Sequence, residues 1–206
     1  METKTELVEK TMANLEKRQF KPYYVSTKEE VLPLVKTLIN EGDTVANGGS
    51  VTLSQTGVTD YIKSGKFNYL EVPEGADEKA KKDAYRQRFF ADVFFSSANA
   101  IIQDGRIYNE DGASTRVAPI IYGPDKVIIV AGINKIVKTE KEAFARVKWV
   151  APQNCRKMHF ETPCAEDLKC HNCFVPMRSC CTTAILNFSR IPDRITVILV
   201  GESLGV

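Results

Sequence analysis

Three continuous apolar runs, Ala91 to Phe95, Val127 to Ala131 and Ile195 to Val200, constrain the fold more than any other feature of the chain. Each is short, rich in Val, Ile and Phe, and lacks the polar alternation of a strand with one wet face. Such runs are strands covered on both sides, so the expected class is α/β: a mostly parallel sheet with helices on both faces. The stretches between them supply helices. Leu7, Val8, Met12 and Leu15 recur at helical spacing behind Thr3 and Glu6, a capping-box pair, placing an N-terminal helix over residues 1–22. Ser26 with Glu29 opens a second helix over Val31 to Ile39, ended by Gly42 and kinked or split at Pro33. Tyr23 to Val25 and Thr44 to Ala46 read as short strands, Leu53 to Ile62 as helix, Asn68 to Val72 as extended chain and the charged stretch Glu74 to Arg88 as a solvent-facing helix. Thr139 and Glu142 start another helix, which Pro152 closes, with Trp149 in the core near its end.

Residues 151–193 stand apart. They hold four prolines, little periodicity beyond a short helix over Thr182 to Phe188, and all six cysteines, which fall within the 27 residues from Cys155 to Cys181. The expectation is a single α/β domain over residues 1–206 with this Cys-rich segment inserted before the last strand. A chain of this length buries an adequate core without disulfides, and no apolar stretch approaches the roughly 20 residues of a membrane span. The polar start, Met1 to Lys10, lacks the order of a signal peptide, which points to the cytoplasm and to reduced thiols. Lys and Arg number 28 against 26 Asp and Glu, a net charge of +2 with the signs interspersed, so nucleic acid is not an expected partner.

Cys164, Cys170, Cys173 and Cys180 form a C-x5-C-x2-C-x6-C pattern, with Cys155 upstream, Cys181 adjoining, and the only histidines, His159 and His171, in the same segment. C-x2-C puts two thiolates within reach of one metal, and the flanking cysteines complete either tetrahedral zinc or an iron–sulfur cluster. The single C-x2-C knuckle and irregular spacing lean toward iron–sulfur. A redox dithiol at Cys170 and Cys173, or at Cys180 and Cys181, lacks a thioredoxin-like context. Simple buried thiols are the plainest alternative.

A second cluster lies at strand ends. Asn47-Gly48-Gly49-Ser50-Val51-Thr52-Leu53 follows a strand and precedes a helix, where a glycine turn can point N–H groups at an anion or simply turn tightly onto a Ser50 cap. Ser96-Ser97-Ala98-Asn99 and Gly132-Ile133-Asn134-Lys135 follow two of the apolar strands. Ligands of open parallel sheets bind beyond the strands' carboxyl ends, so Gly48, Gly49, Ser50, Thr52, Asn99, Asn134 and Lys135 are candidates to bind a small anionic metabolite, with Lys135 pairing its charge. Asn99 and Asn134 serve equally well as caps or turn residues.

These motifs together resemble the LUD-domain family, associated with bacterial lactate utilisation. The resemblance is carried by Gly48-Gly49-Ser50 with Thr52-Leu53, Ser97-Ala98-Asn99-Ala100 with Asp104-Gly105 and Asn109, Gly123 to Val127, Gly132 to Val137, and Gly201-Glu202-Ser203-Leu204-Gly205. It implies a fold similar to the ribose-phosphate isomerase, glucosamine-phosphate deaminase and CoA-transferase group, and a role beside other subunits of a lactate-oxidising system. Family members often show Gly-Asn-Arg where this chain reads Ala113-Ser114-Thr115-Arg116, so Arg116 is the remaining ligand candidate there. The stretch Ser97 to Gly112 is also similar to sugar-phosphate isomerases related to translation factor 2B subunits, in which an acid stands where this chain has Asn99. An amide cannot relay a proton. An isomerase or acyl-transferase acting on a phosphorylated or CoA-linked molecule would therefore need Asp104, Asp111 or Glu202 as its acid or base. A ligand-sensing module with a structural zinc is the non-catalytic alternative.

Overall fold

The computed structural model describes residues 3–206. Its strands are β1 (Lys21–Val25), β2 (Thr44–Asn47), β3 (Asn68–Tyr69), β4 (Val93–Ser96), β5 (Ala100–Ile102), β6 (Ile107–Asp111), β7 (Lys126–Gly132), β8 (Ile136–Val137), β9 (Thr182–Leu186) and β10 (Ile195–Val200). The helices are α1 (Lys4–Lys17), α2 (Val31–Leu38), α3 (Val51–Gln55), α4 (Val58–Ile62), α5 (Glu78–Gln87), α6 (Val117–Ile121), α7 (Glu140–Lys157) and α8 (Pro163–Asp167).

The three apolar runs become β4, β7 and β10, the middle of a six-stranded sheet in the order β1-β10-β7-β4-β2-β3 with every pairing parallel. Side chains alternate across it. Val93, Phe95, Ile128, Val130, Ile198 and Val200 pack with α2, α3 and α4 on one face. Phe94, Val127, Ile129, Val197 and Leu199 pack on the other with Val8 and Leu15 of α1 and Ile120 of α6. Both faces are dry, which is why no polar alternation shows in these strands.

A second, mixed sheet in the order β8-β5-β6-β9 leans on that latter face. Ile101 and Ile107 join the main core, while Ala100, Ile102 and Tyr108 turn the other way onto Ala143 and Val147 of α7. This layer corrects one expectation. Thr182 to Phe188 is not a helix: Thr182–Leu186 is strand β9, antiparallel to β6 with Asp111 opposite Thr182. The segment 151–193 is therefore tied at both ends, by the last turns of α7 and by β9.

Local signals mostly locate the helices. Thr3 and Glu6 form the capping box of α1, which stops at Lys17, so the N-terminal helix is shorter than residues 1–22. Ahead of α2 the Glu30 carboxylate accepts from the Ser26 and Thr27 amides, one residue later than the Ser26–Glu29 pairing expected. Pro33 lies in the first turn of α2, where its missing N–H has no intrahelical partner to lose, and does not split it. Leu53 to Ile62 is two short helices parted by Gly57 at φ 71°. Pro152 does not close α7, which runs on to Lys157, and Trp149 is not core but 61% exposed, because Ala143, Val147 and Val150 take the buried face. No helix among the described residues is long and apolar enough to cross a membrane.

Candidate functional site

Four parallel strands deliver their carboxyl ends to one edge of the main sheet, and the polar loops that follow them converge there. Lys135, in the turn after β7, is buried, with its ammonium 3.0 Å from Thr52 Oγ1 and 2.9 Å from Ser97 Oγ. The Ser97 hydroxyl itself donates to the Val130 carbonyl at 2.7 Å, leaving its oxygen to accept from the lysine. Among the described residues no carboxylate bonds this ammonium. Burial, together with the neighbouring Arg146 and Arg116 charges, lowers its pKa to about 8. Arg146 comes from α7; its Nη2 donates to the main-chain oxygen of Val206 at 2.7 Å, and its buried Nε has no hydrogen-bond partner among the described residues.

Arg116 has another task. Its Nη1 donates to Asn109 Oδ1 and the Ser97 carbonyl, and its Nη2 to Asn99 Oδ1 and the Glu110 carbonyl. The guanidinium is a brace joining β6 to the Ser97 turn, and its alkyl stem lies on Gly48, where a Cβ would stand 2.4 Å from Arg116 Cγ. Gly48 is a close-approach position. Gly49 faces open space, and Ser50 caps α3 by accepting from the Leu53 amide at 3.3 Å. Asn134 grips the chain after β10: its Oδ1 accepts from the Leu204 amide and its Nδ2 donates to the Leu204 carbonyl. That segment roofs the site. Gly205, at φ +69°, lies so near that a Cβ would be 2.7 Å from Thr52 Oγ1 and 3.0 Å from Lys135 Nζ.

Two of the three candidate acids, Asp111 and Asp104, have structural partners. Asp111 accepts from the Arg116 and Val117 amides, each at 3.0 Å, and so anchors the start of α6. Asp104 sits in the β5–β6 turn, 2.9 Å from Arg106 Nε and 3.8 Å from Arg18 Nη2, with no bond to the lysine cluster. Lys135 and Thr52 are thus brought together; Gly48, Asn99, Arg116 and Asn134 support them; Asp104 is elsewhere. Sequence reasoning passed over Ser97 and Arg146. Ser97 was visible as a polar residue at a strand end, but Arg146, on a helix with no local anomaly, carried no signal.

Sulfur gathers at a second place. Cys155, Cys164, Cys170, Cys173 and Cys180 all line one cavity of about 20 Å³ between α7 and the chain after α8, together with Val147, Ala151 and Pro152. Cys155 Sγ is 3.0 Å from Ser179 Oγ and Cys164 Sγ is 3.3 Å from Thr162 Oγ1. Burial raises the thiol pKa of Cys164 and of Cys180. Cys181 points away and bonds the Arg178 carbonyl. His171 borders the cavity and pairs with Asp167 at 3.0 Å, whereas His159 lines a separate surface hollow. Among the described residues no group of three or more His, Cys, Asp or Glu side chains is arranged as a cage for a metal ion.

A doubly covered parallel sheet with a cationic, hydroxyl-lined cluster at its carboxyl edge defines an α/β protein. The LUD-domain family model matches residues 8–200, and the chain belongs to that family. A DUF162 family protein from Deinococcus radiodurans is similar in fold at 15% identity, with a TM-score of 0.57 over 96% of this chain and 98% of that one. Partial matches extend to eIF2B beta and eIF2B delta from Chaetomium thermophilum. The beta subunit gives 18% identity and a TM-score of 0.37 over 56% of this chain and 44% of that one. The delta subunit gives 19% and 0.34 over 67% and 54%. No curated protein matches the chain.

Proposed function

We propose that this LUD-domain protein binds a small carboxylate, of the lactate or related hydroxy-acid class, at the Lys135 cluster, and that it serves in the utilisation of that acid beside partner subunits. The observation that carries the reading is a buried ammonium held by two hydroxyls, flanked by two arginines and paired with no carboxylate among the described residues. A buried cation is costly unless it has a counter-charge. A bound carboxylate supplies one. An ammonium has three donors, of which Thr52 and Ser97 take two, and the orphaned Nε of Arg146 offers a further donor nearby. The family's association with lactate utilisation supports the substrate class.

The isomerase or acyl-transferase reading has less support, because Asp111 is occupied as a helix anchor and Asp104 as an ion-pair partner, which leaves it Glu202 alone of its three acids. Titration calorimetry with L-lactate, pyruvate and inorganic phosphate tests the proposal. Lactate or pyruvate should bind, and Lys135→Ala should weaken binding by about 1 to 3 kcal/mol, the scale of a charge-assisted hydrogen bond. Affinity should fall as pH rises through about 8, where free Lys135 loses its charge. Binding that is absent for every carboxylate, or indifferent to Lys135→Ala, would sink the reading.

A further inference from the structure

The surroundings of Lys135 do more than await an anion: they are arranged to receive N–H groups. Ser97 spends its own hydroxyl proton on the Val130 carbonyl at 2.7 Å, so toward Lys135 Nζ, 2.9 Å away, it can only accept. Thr52 Oγ1, from the first turn of α3, stands 3.0 Å from the same nitrogen. An amine that has given up its proton keeps two N–H groups and gains a lone pair. With the two N–H groups on Ser97 and Thr52, the lone pair takes the third direction. No carboxylate among the described residues bonds the nitrogen there to hold the proton on it.

Electrostatics act in the same sense. Burial first, and the Arg146 and Arg116 charges after it, bring the pKa of Lys135 down to about 8. At neutral pH this gives it on the order of a hundredfold more free amine than an ordinary lysine has. Desolvation beside other cations is how a lysine becomes nucleophilic toward a carbonyl carbon. Arg146 supplies the second half of a recognition site: its buried Nε, without a hydrogen-bond partner among the described residues, is a donor for the carboxylate of a molecule whose carbonyl faces the amine. The chain over the nitrogen bears no side chain at the nearest point, which is Gly205, where a Cβ would stand 3.0 Å from Nζ.

We propose that Lys135 forms an imine with the carbonyl carbon of a 2-oxo acid, the oxidised counterpart of the hydroxy acids proposed for this site. The free amine adds to the ketone carbon and a C–N bond forms as the carbonyl oxygen takes up a proton. The resulting carbinolamine then loses that oxygen as water, and C–N becomes C=N. In sum, the ammonium and the ketone give a protonated imine and one water, the two hydrogens that leave the nitrogen departing in the water. No electrons are exchanged and no further reactant is needed. The protonated imine keeps the charge of the ammonium, so the substrate carboxylate still meets a cation, with Arg146 as its other partner. The inference rests on the carboxylate reading of this site and adds a covalent step to it. Lactate, which has no carbonyl, binds without that step.

The full chain is to be incubated with pyruvate and sodium cyanoborohydride, which reduces an imine to a stable secondary amine, and the product weighed and mapped by mass spectrometry. One pyruvate-derived adduct per chain should appear at Lys135, formed about tenfold or more faster than at any other lysine, as its larger share of free amine requires. An excess of L-lactate should suppress it. Lys135→Arg, which keeps the charge, should bind pyruvate in calorimetry and leave no adduct; the map of the parent chain decides the matter even where that variant does not fold. Pyruvate that binds the parent chain while Lys135 stays unmodified would overturn the imine and leave the carboxylate reading standing. Adducts spread evenly over the lysines, or an equal amount of adduct in Lys135→Arg, would overturn the imine too. If neither lactate nor pyruvate binds and nothing is trapped, both fall.

Discussion

The strand-end cluster and the sulfur cavity are both places where chemistry-bearing side chains converge, but the forces assembling them differ. Lys135, Ser97 and Thr52 stand on or beside strands whose dry faces lock them, and Arg116 spends its donors fixing the turn they sit in. That site exists because the sheet exists. The cysteines of 169–181 stand on chain with no buried apolar side chains, held by the bonds of Arg178, by Asp167 on Lys169 and His171, and by Ser179 on Cys155. A rigid sheet can hold an uncompensated charge in place, whereas an irregular segment is held only by the few side-chain bonds it makes. Substitutions should therefore act globally in the first region and locally in the second.

The largest contrast is between two phenylalanines. Phe94, wholly buried in β4, packs between α1, α6 and the strands beside it, so Phe94→Ala should cost about 3 to 5 kcal/mol of stability. Phe174→Ala, at a side chain 93% exposed, should stay within about 0.5 kcal/mol in the same urea denaturation series. Comparable losses at both positions would mean that the 169–181 segment has a core after all.

Lys135→Met follows. The folded-state pKa of Lys135 lies near 8, below its ordinary 10.5, so the folded protein bears the cost of the buried charge at neutral pH and is relieved of it as pH rises from about 8 to about 10.5. Without ligand, the Met variant should be more stable than the parent by up to about 3 kcal/mol at pH 7, with the gap closing by about pH 10.5. A gap that does not change with pH would mean that the ammonium is not held against its own burial.

Gly48→Ala should cost about 1 to 3 kcal/mol, since its Cβ would meet the Arg116 stem at 2.4 Å and the guanidinium would be pushed off Asn99 and Asn109. Gly49→Ala, whose Cβ meets nothing, should lack that penalty. Thermal melts of the pair measure how tightly the brace depends on one missing methyl group.

The difference between the regions also explains what could be read in the chain beforehand. Ala91 to Phe95, Val127 to Ala131 and Ile195 to Val200 announce the main sheet because burial on both faces is written locally, and the polar residues just after them announce its ligand edge. The second sheet is not so written. Thr182 to Leu186 becomes a strand only by pairing with β6, some seventy residues earlier, and its composition alone suits a helix equally well. Pro152 reads as a stop, yet its ring removes only one hydrogen bond from α7, and Val150 and Cys155, buried on either side of it, keep the helix running. At the site, Lys135 and Thr52 were legible because each closes a local motif; Arg146 reaches them only through packing of α7, which no spacing along the chain records. The cysteines were legible as a set, but not that Cys155 lines the same cavity while Cys181 turns away.

Arg178→Lys gives the smallest global effect and the sharpest local one. The charge is kept, but a lysine cannot make the fork of bonds to Cys173, Cys180 and Asn172, because its donors radiate from a single nitrogen. The global denaturation midpoint should not move, since the sheets do not depend on these bonds. Amide hydrogen exchange across 170–181 should nonetheless speed up severalfold, with the strands of the main sheet unaffected. If exchange in the segment is unchanged, its bonds to Asp167 and Cys155 suffice to hold it; if the main-sheet strands also exchange faster, the two regions are coupled and the separation between a site made by the sheet and a segment held by its own few bonds fails.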